Sequence, residues 1–297
     1  MRFMTLQAEQ NRLMTRATRA SVAVAFTLII VKIIVFALTG SVAILSALFD
    51  SLQDSVTSLV SMIAVHQAVE PADKNHRFGH GKAQAIGSFI QAIIISAATV
   101  LLAVESVRRL MEPQPVRHMG LGIGATVLAI ILSIVLVRYQ TWVIKQTGSL
   151  SVRADRAHYT GDIWMNIGVI ISMEVSRLTG WNGWDALFGI GVAVYLGISV
   201  VQIIRESVAM LMDAEMPKAF RSQIKAVAFS FPEVITVHNL KTRQSGNKAF
   251  VQFCVHMDDR LTLRQAHQIT EEMEQKISER FPDTEVIIHP EPERKQA

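Results

Sequence analysis

Apolar runs divide the chain into two zones. As far as about residue 212, six runs (20–39, 41–68, 84–110, 119–144, 156–178 and 185–208) alternate with short polar connections. Each is long enough to cross a bilayer, because a helix needs roughly 20 residues to span a hydrocarbon core of about 30 Å. The apolar run ends at "DAEMPKAF", where Pro217 can open a new helix. From there the chain is dense in Lys, Arg, Glu and Gln, and its apolar residues follow shorter rhythms.

Those rhythms predict a small α+β unit. Phe220, Ile224, Val227, Ala228 and Phe231 recur at helical spacing, and "VITVHNL" reads as a strand. "QSGN" supplies turn chemistry. In "AFVQFCVHM", Ala249, Val251, Phe253 and Val255 fall on one face, with Phe250, Gln252, Cys254 and His256 on the other. A helix over about 263–281 buries Ala266, Ile269, Met273 and Ile277, and "TEVIIHPEP" closes the unit as a strand. The order αββαβ predicts helices on one face of a three-stranded sheet. The expected organisation is an N-terminal arm over 1–19, a membrane all-α domain of six helices over 20–212, and a cytosolic α+β domain over 213–297.

Composition adds little until charge is placed along the chain. Half of the 297 residues are hydrophobic, and the net charge is only +4. The basic residues are dispersed, which argues against a nucleic-acid partner. Their positions set a topology. Arg2, Arg12, Arg16 and Arg19 precede the first run, Lys74, Arg77 and Lys82 lie in the second connection, and Lys145, Arg153 and Arg156 lie around the fourth. The positive-inside tendency then puts both termini in the cytoplasm, with the third connection (Arg108, Arg109, Arg117) discordant. The first run is too long for a signal-peptide core and is expected to be retained. A single cysteine, Cys254, excludes an internal disulfide.

Against this background two pairs of charged residues stand out. "ALFDSLQD" places Asp50 and Asp54 four residues apart in the second run, and "HYTGD" does the same with His158 and Asp162 in the fifth. A four-residue helical step rises about 6 Å and returns to nearly the same face, so each pair presents two donors to one point. An Asp at the centre of a span costs about 2.5–3.5 kcal/mol on insertion scales, so these side chains must face the interior of a bundle. Crowded carboxylates repel unless protons or a cation neutralise them. Three carboxylates and one imidazole supply the four ligands zinc takes. Lys32, also within an apolar run, has no lone pair to donate as an ammonium and suits snorkelling or an ion pair.

Two further sets carry metal-ligand chemistry. "PADKNHRFGHGK" spaces Asp73, His76 and His80 beside Gly79 and Gly81, a loop able to fold back around an ion. In the C-terminal zone His238, Cys254 or His256, His267, His289 and Glu291 come from three strands and a helix, and spacing alone does not bring them together. The chain has no H-E-x-x-H, Walker loop or C-x-x-C, and "GLGIGA" supplies small residues for helix packing rather than a nucleotide loop.

Six spans with both termini inside, D-x3-D in the second, H-x3-D in the fifth, the D-x2-H-x3-H loop and an αββαβ tail make the chain resemble the cation diffusion facilitator family over nearly its whole length. "HNLKTRQSG", "QAH" and "VIIH" are most similar to its bacterial zinc and iron efflux branch, the FieF/YiiP type. The resemblance implies a homodimeric antiporter in the bacterial cytoplasmic (inner) membrane. It would export a divalent metal, zinc first and also cadmium or ferrous iron, against inward protons, with no cofactor beyond bound divalent metal. It further implies a transport site of Asp50, Asp54, His158 and Asp162 and a loop site of Asp73, His76 and His80. A cytosolic dimer site would use His238, His267, His289 and a ligand near Glu291. Lys82 and Asp213 match a charged pair tying the loop to the end of the sixth span. Two positions depart from the pattern: Cys254 stands where a histidine is usual, and Glu291 where an aspartate is. A membrane-anchored metal sensor or an intramembrane metalloenzyme could use the same ligands. A sensor needs no four buried donors, and an enzyme needs a positioned base that the sequence does not show.

Overall fold

The computed structural model describes residues 2–39, 42–112, 120–181 and 183–293, leaving out the side chains of 2–7, 39, 42–47, 49, 50, 120–123, 125, 169, 172, 173, 176, 177 and 185. Six long helices come first: α1 (Arg2–Thr39), α2 (Val42–Ala68), α3 (Ala83–Met111), α4 (Gly120–Thr147), α5 (Leu150–Thr179) and α6 (Trp184–Leu211). The remainder is α7 (Lys218–Ala228), β1 (Val234–Ser245), β2 (Lys248–Met257), α8 (Leu263–Arg280) and β3 (Thr284–Pro292). The chain forms two compact units, Gln10–Val208 and Ala209–Ala297 with Met1–Glu9.

In the helical unit, α5 packs against α2, α3 and α4, and α2 against α3. Small residues permit the close approaches. A Cβ added to Gly87 on α3 would lie 2.2 Å from the Cβ of Ala64 on α2, so only glycine fits that crossing. Ala92 and Ile95 of α3, Ala154 and Ala157 of α5, and Val192, Leu196, Val200 and Ile203 of α6 form one buried seam. Among the described residues, Ala8–Leu38, Ala83–Met111, Thr126–Thr147 and Ala186–Leu211 are long and apolar enough to cross a membrane. The other two long helices, α2 and α5, are those that carry Asp54, His158 and Asp162. Ile30, Ile33, Ile34 and Leu38 face outward on α1, a surface suited to lipid rather than water.

Two helices begin earlier than hydropathy predicts. α1 starts at Arg2 rather than near 20, because the polar arm hides an apolar face. Leu13, Met14 and Ala17 pack with Val65, Val143 and Val152 from α2, α4 and α5. α5 starts at Leu150 rather than 156, and its extra turns carry Ser151 and Asp155, both wholly buried. A hydropathy window discounts such residues even where the bundle interior holds them.

The C-terminal unit has the sheet order β1-β2-β3, with β1 and β2 antiparallel and β2 and β3 parallel. The parallel pair requires a crossover, which α8 supplies. Thr262 caps α8: its hydroxyl accepts from the Gln265 N–H, and the Gln265 side chain accepts from the Thr262 N–H, a capping box. Ile224 and Val227 of α7 and Met273 and Ile277 of α8 bury against Val251, Phe253, Val255 and Ile288 of the sheet. The helices cover one face, and the face bearing Cys254 and His256 stays partly accessible.

Candidate metal sites

Helix periodicity puts His158 and Asp162 on one side of α5, and α2 brings Asp54 opposite them. His158 Nε2 lies 2.9 Å from Asp54 Oδ1 and 3.8 Å from Asp162 Oδ2. The three donor atoms lie within 4.8 Å of one another. Two ligands sharing a tetrahedral zinc at about 2.1 Å are about 3.4 Å apart, so this spacing needs little adjustment to close on an ion. The set is sheltered: the side chains of His158 and Asp54 are 9% and 14% exposed, and Asp162 is 33% exposed. Asp162 is the most exposed of the three residues, although its Oδ2 atom is itself buried. Tyr159 meets the His158 ring edge-on, with centroids 5.9 Å apart. Asp50 stands one turn before Asp54 on α2, but its side chain lies outside the described residues. Lys32 Nζ donates to Ser51 Oγ at 2.6 Å, so the ammonium reaches α2 beside the Asp50 position.

The loop between α2 and α3 gathers the second set. Asp73 Oδ1 accepts the backbone N–H groups of Asn75 (2.8 Å) and His76 (2.5 Å), which turns the chain back on itself. His76 Nδ1 then lies 3.2 Å from Asp73 Oδ1, and His80 Nε2 lies 3.5 Å from Asp73 Oδ2 and 3.1 Å from His76 Nδ1. The His76 backbone N–H, with lesser help from its ring and the Asn75 N–H, holds the Asp73 carboxyl below the ordinary carboxylate range against desolvation. Gly79, at φ 80°, makes the return possible, whereas Gly81 is not among the residues with positive φ. Lys82 follows at the N-cap of α3. Asp213, at the start of the other unit, lies 3.4 Å from Arg243.

On the outer face of the sheet, cross-strand register forms two rows. His238 pairs with Cys254, which pairs with His289; beside them His256 pairs with Glu291. A register shift in β1 after His238, with Asn239 at φ 52°, sets the strand locally out of step. Glu291 is the hub: its Oε2 lies 3.1 Å from His256 Nε2 and 3.4 Å from His238 Nε2, and its Oε1 lies 3.8 Å from His289 Nε2. The close ligand group is His238, His256 and Glu291. Of the two residues offered by β2, it is His256 whose ligand atom joins. Desolvation, and then the hydrogen bond to Glu291, push the Cys254 thiol up. Desolvation opposes ionisation of Glu291, but Cys254 and His256 outweigh it and hold the carboxyl low. His267 is exposed on α8, whose apolar stripe faces the other side of the sheet, and it does not enter the described group.

The expectations from sequence passed over one buried carboxylate, Asp155, three residues before His158. The available signal was its place inside the same turn-spaced series as His158 and Asp162. It was masked because the apolar run begins only at residue 156.

Comparisons with known proteins identify the family. Residues 18–212 match the family described as "Cation efflux transmembrane domain", and residues 216–293 match "Cation efflux protein, cytoplasmic domain". The cation-efflux pump FieF of Salmonella arizonae is 42% identical over 282 residues, 95% of this chain and 94% of that one. FieF of Salmonella choleraesuis shows the same identity and coverage. The metal-bound C-terminal domain of the CzcD transporter from Thermotoga maritima is 28% identical, covering 28% of this chain and all of that one, with a TM-score of 0.26. Matched along both of its zones, the chain belongs to the cation efflux, or cation diffusion facilitator, family: it is a membrane transporter of divalent metal cations, not an enzyme.

Proposed function

We propose that this protein exports zinc and cadmium, and less readily ferrous iron, in exchange for protons at the site of Asp50, Asp54, His158 and Asp162. The observation that carries this reading is the sheltered group of Asp54, His158 and Asp162, one imidazole and two carboxylates contributed by two packed helices. Mixed nitrogen and oxygen donors in a small set suit zinc, whereas manganese prefers more oxygen ligands and six-coordination. Ligand protons and a dication compete for the same atoms, so binding metal releases protons. Exposing the site alternately to each side turns that competition into exchange.

The other two sets take supporting roles in this proposal. Asp73, His76 and His80 collect cations at the end of the bundle without being part of the translocation path. His238, His256 and Glu291, with His289 beside them, hold a divalent ion on the outer face of the C-terminal sheet. That face becomes a homodimer contact when a cation relieves the repulsion and hydration of its side chains. The protein works as a homodimer in the bacterial inner membrane with both termini cytoplasmic. A sensor reading is disfavoured by the buried donors between α2 and α5, which a mere anchor would not need. The test is uptake of zinc, cadmium, iron and manganese into vesicles holding the purified protein, under an imposed pH gradient. Zinc and cadmium are expected to lead; manganese outcompeting zinc at equal free concentration would overturn the assignment.

A further inference from the structure

Beside the transport site, α1, α2, α4 and α5 enclose Asp155, whose side chain has no solvent exposure. Its hydrogen-bond partners are neutral. Oδ2 accepts from Ser21 Oγ at 2.5 Å and from Gln140 Nε2 at 2.7 Å, and Oδ1 accepts from Ser58 Oγ at 3.2 Å. Each hydroxyl also has a second acceptor within reach. Ser21 Oγ lies 3.1 Å from the Ala17 carbonyl, and Ser58 Oγ lies 3.0 Å from Tyr159 Oη, which itself donates to the Ser21 carbonyl at 3.2 Å.

The same heavy atoms therefore serve two proton arrangements. With Asp155 ionised, Ser21 and Ser58 both aim their hydrogens at the carboxylate. With Asp155 protonated, it donates through Oδ2 to Ser21 Oγ, Ser21 donates to Ala17, and Ser58 turns to Tyr159. Gln140 donates to Asp155 and, at 2.9 Å, to Ser21 in both cases. Only two hydroxyl rotations separate the states, so a proton can come and go without repacking four helices.

The hydrogen-bond partners of Asp155 suit either form of the carboxyl, and a dication bound nearby would favour the anion. The transport site provides that dication. His158 stands three residues along α5, a rise of about 4.5 Å. The titratable groups facing this pocket are His158 and Tyr159, with Asp162 beyond them, on α5 and Asp54 on α2; α1 and α4 present Ser21 and Gln140, and the buried face of α3 carries no ionisable residue. We propose that Asp155 is a proton-carrying residue outside the metal ligands, protonated when the transport site lacks metal and ionised when a divalent cation binds Asp54, His158 and Asp162. The proton passes to water, and the carboxylate left behind is held by Ser21, Ser58 and Gln140. This inference rests on the proton-coupled reading proposed above.

The test is zinc titration of the full-length protein over a range of pH, reading proton release with an indicator in weak buffer and Kd by calorimetry. Asp155→Asn is expected to match the wild-type zinc affinity in acid but to bind more weakly at alkaline pH, where the wild-type carboxylate is ionised, and to release about one proton fewer per zinc over the intervening range, with the slope of log Kd against pH reduced by the same amount. Asp155→Glu is expected to restore both. If Asp155→Asn does not fold, the Ser21→Ala, Ser58→Ala double variant keeps the carboxyl but removes donors to its anion, and its zinc-linked proton release should persist to higher pH. Equal proton release and equal slope in wild type and Asp155→Asn, or an unshifted profile in the serine variant, would overturn the inference alone. A wild type that releases no protons on binding zinc would overturn it together with the coupling on which it rests.

Discussion

Asp54→Asn is the sharpest single perturbation of the transport site, because it preserves shape and hydrogen bonding while removing one charge from a sheltered set. Asp54 Oδ1 lies 2.9 Å from His158 Nε2, and both side chains are largely withdrawn from solvent. Removing one partner from a buried charge pair costs about 3–5 kcal/mol. If the carboxylate–zinc contact in this sheltered site is worth a comparable amount, then at 1.4 kcal/mol per factor of ten zinc affinity falls by roughly 10²- to 10³-fold. The remaining donors, His158 and Asp162, are still 3.8 Å apart and still able to hold an ion, so binding should weaken rather than vanish. Calorimetry on the purified protein reads the affinity, provided the variant's folding is first checked by its melting profile. Vesicle uptake then reads transport, which should fall below detection at micromolar zinc. An affinity within a few-fold of wild type, with transport intact, would show that Asp54 is not a ligand.

Four other outcomes follow from the geometry. His76→Ala with His80→Ala should slow uptake at low free zinc but leave the rate at saturating zinc nearly unchanged; complete loss in a folded variant would move these residues into the translocation path. Gly79→Ala should destabilise the loop by about 1 kcal/mol or more, because φ is 80°, whereas Gly81→Ala should be mild, and melting curves with and without zinc distinguish them. In the C-terminal unit His256→Ala should abolish zinc-induced stabilisation while Cys254→Ser leaves it in place; the reverse order would return the ligand role to Cys254. Burial raises the carboxyl of Asp283, with Lys248 only partly offsetting it, so its contribution is fully present below the unperturbed Asp pKa of about 3.9 and lost as pH rises through the folded value. Asp283→Asn should accordingly raise the melting temperature at neutral pH, also because Asn tolerates the φ of 66° there, and the charge-dependent part of that gain should disappear in acid.

How far the sequence reveals this molecule depends on whether a feature is local. Asp54, His158 and Asp162 stand out because charge is expensive in apolar runs, and a four-residue step on a helix fixes which side chains share a face. The loop set is legible for a similar reason, since Asp73, His76 and His80 lie within one turn of chain. The outer face of the sheet is harder. Cys254 and His256 share a face by strand alternation, and only the grouping of His256 with His238 and Glu291 tells them apart. His267 has ligand chemistry, but nothing in its spacing reveals that the apolar stripe of α8 turns toward the opposite side of the sheet. Asp155 escapes hydropathy altogether, because its burial depends on Ser21, Ser58 and Gln140 arriving from three other helices.

The most direct measurement follows zinc and protons together in sealed vesicles containing only this protein, with a zinc indicator and a pH indicator trapped inside. Outward-directed protons should drive zinc inward, the two fluxes should keep a fixed ratio as the gradient is varied, and both should be lost in Asp162→Asn. Zinc entry that is indifferent to the pH gradient, or that continues at the wild-type rate in Asp162→Asn, would contradict proton-coupled transport at the α2–α5 site.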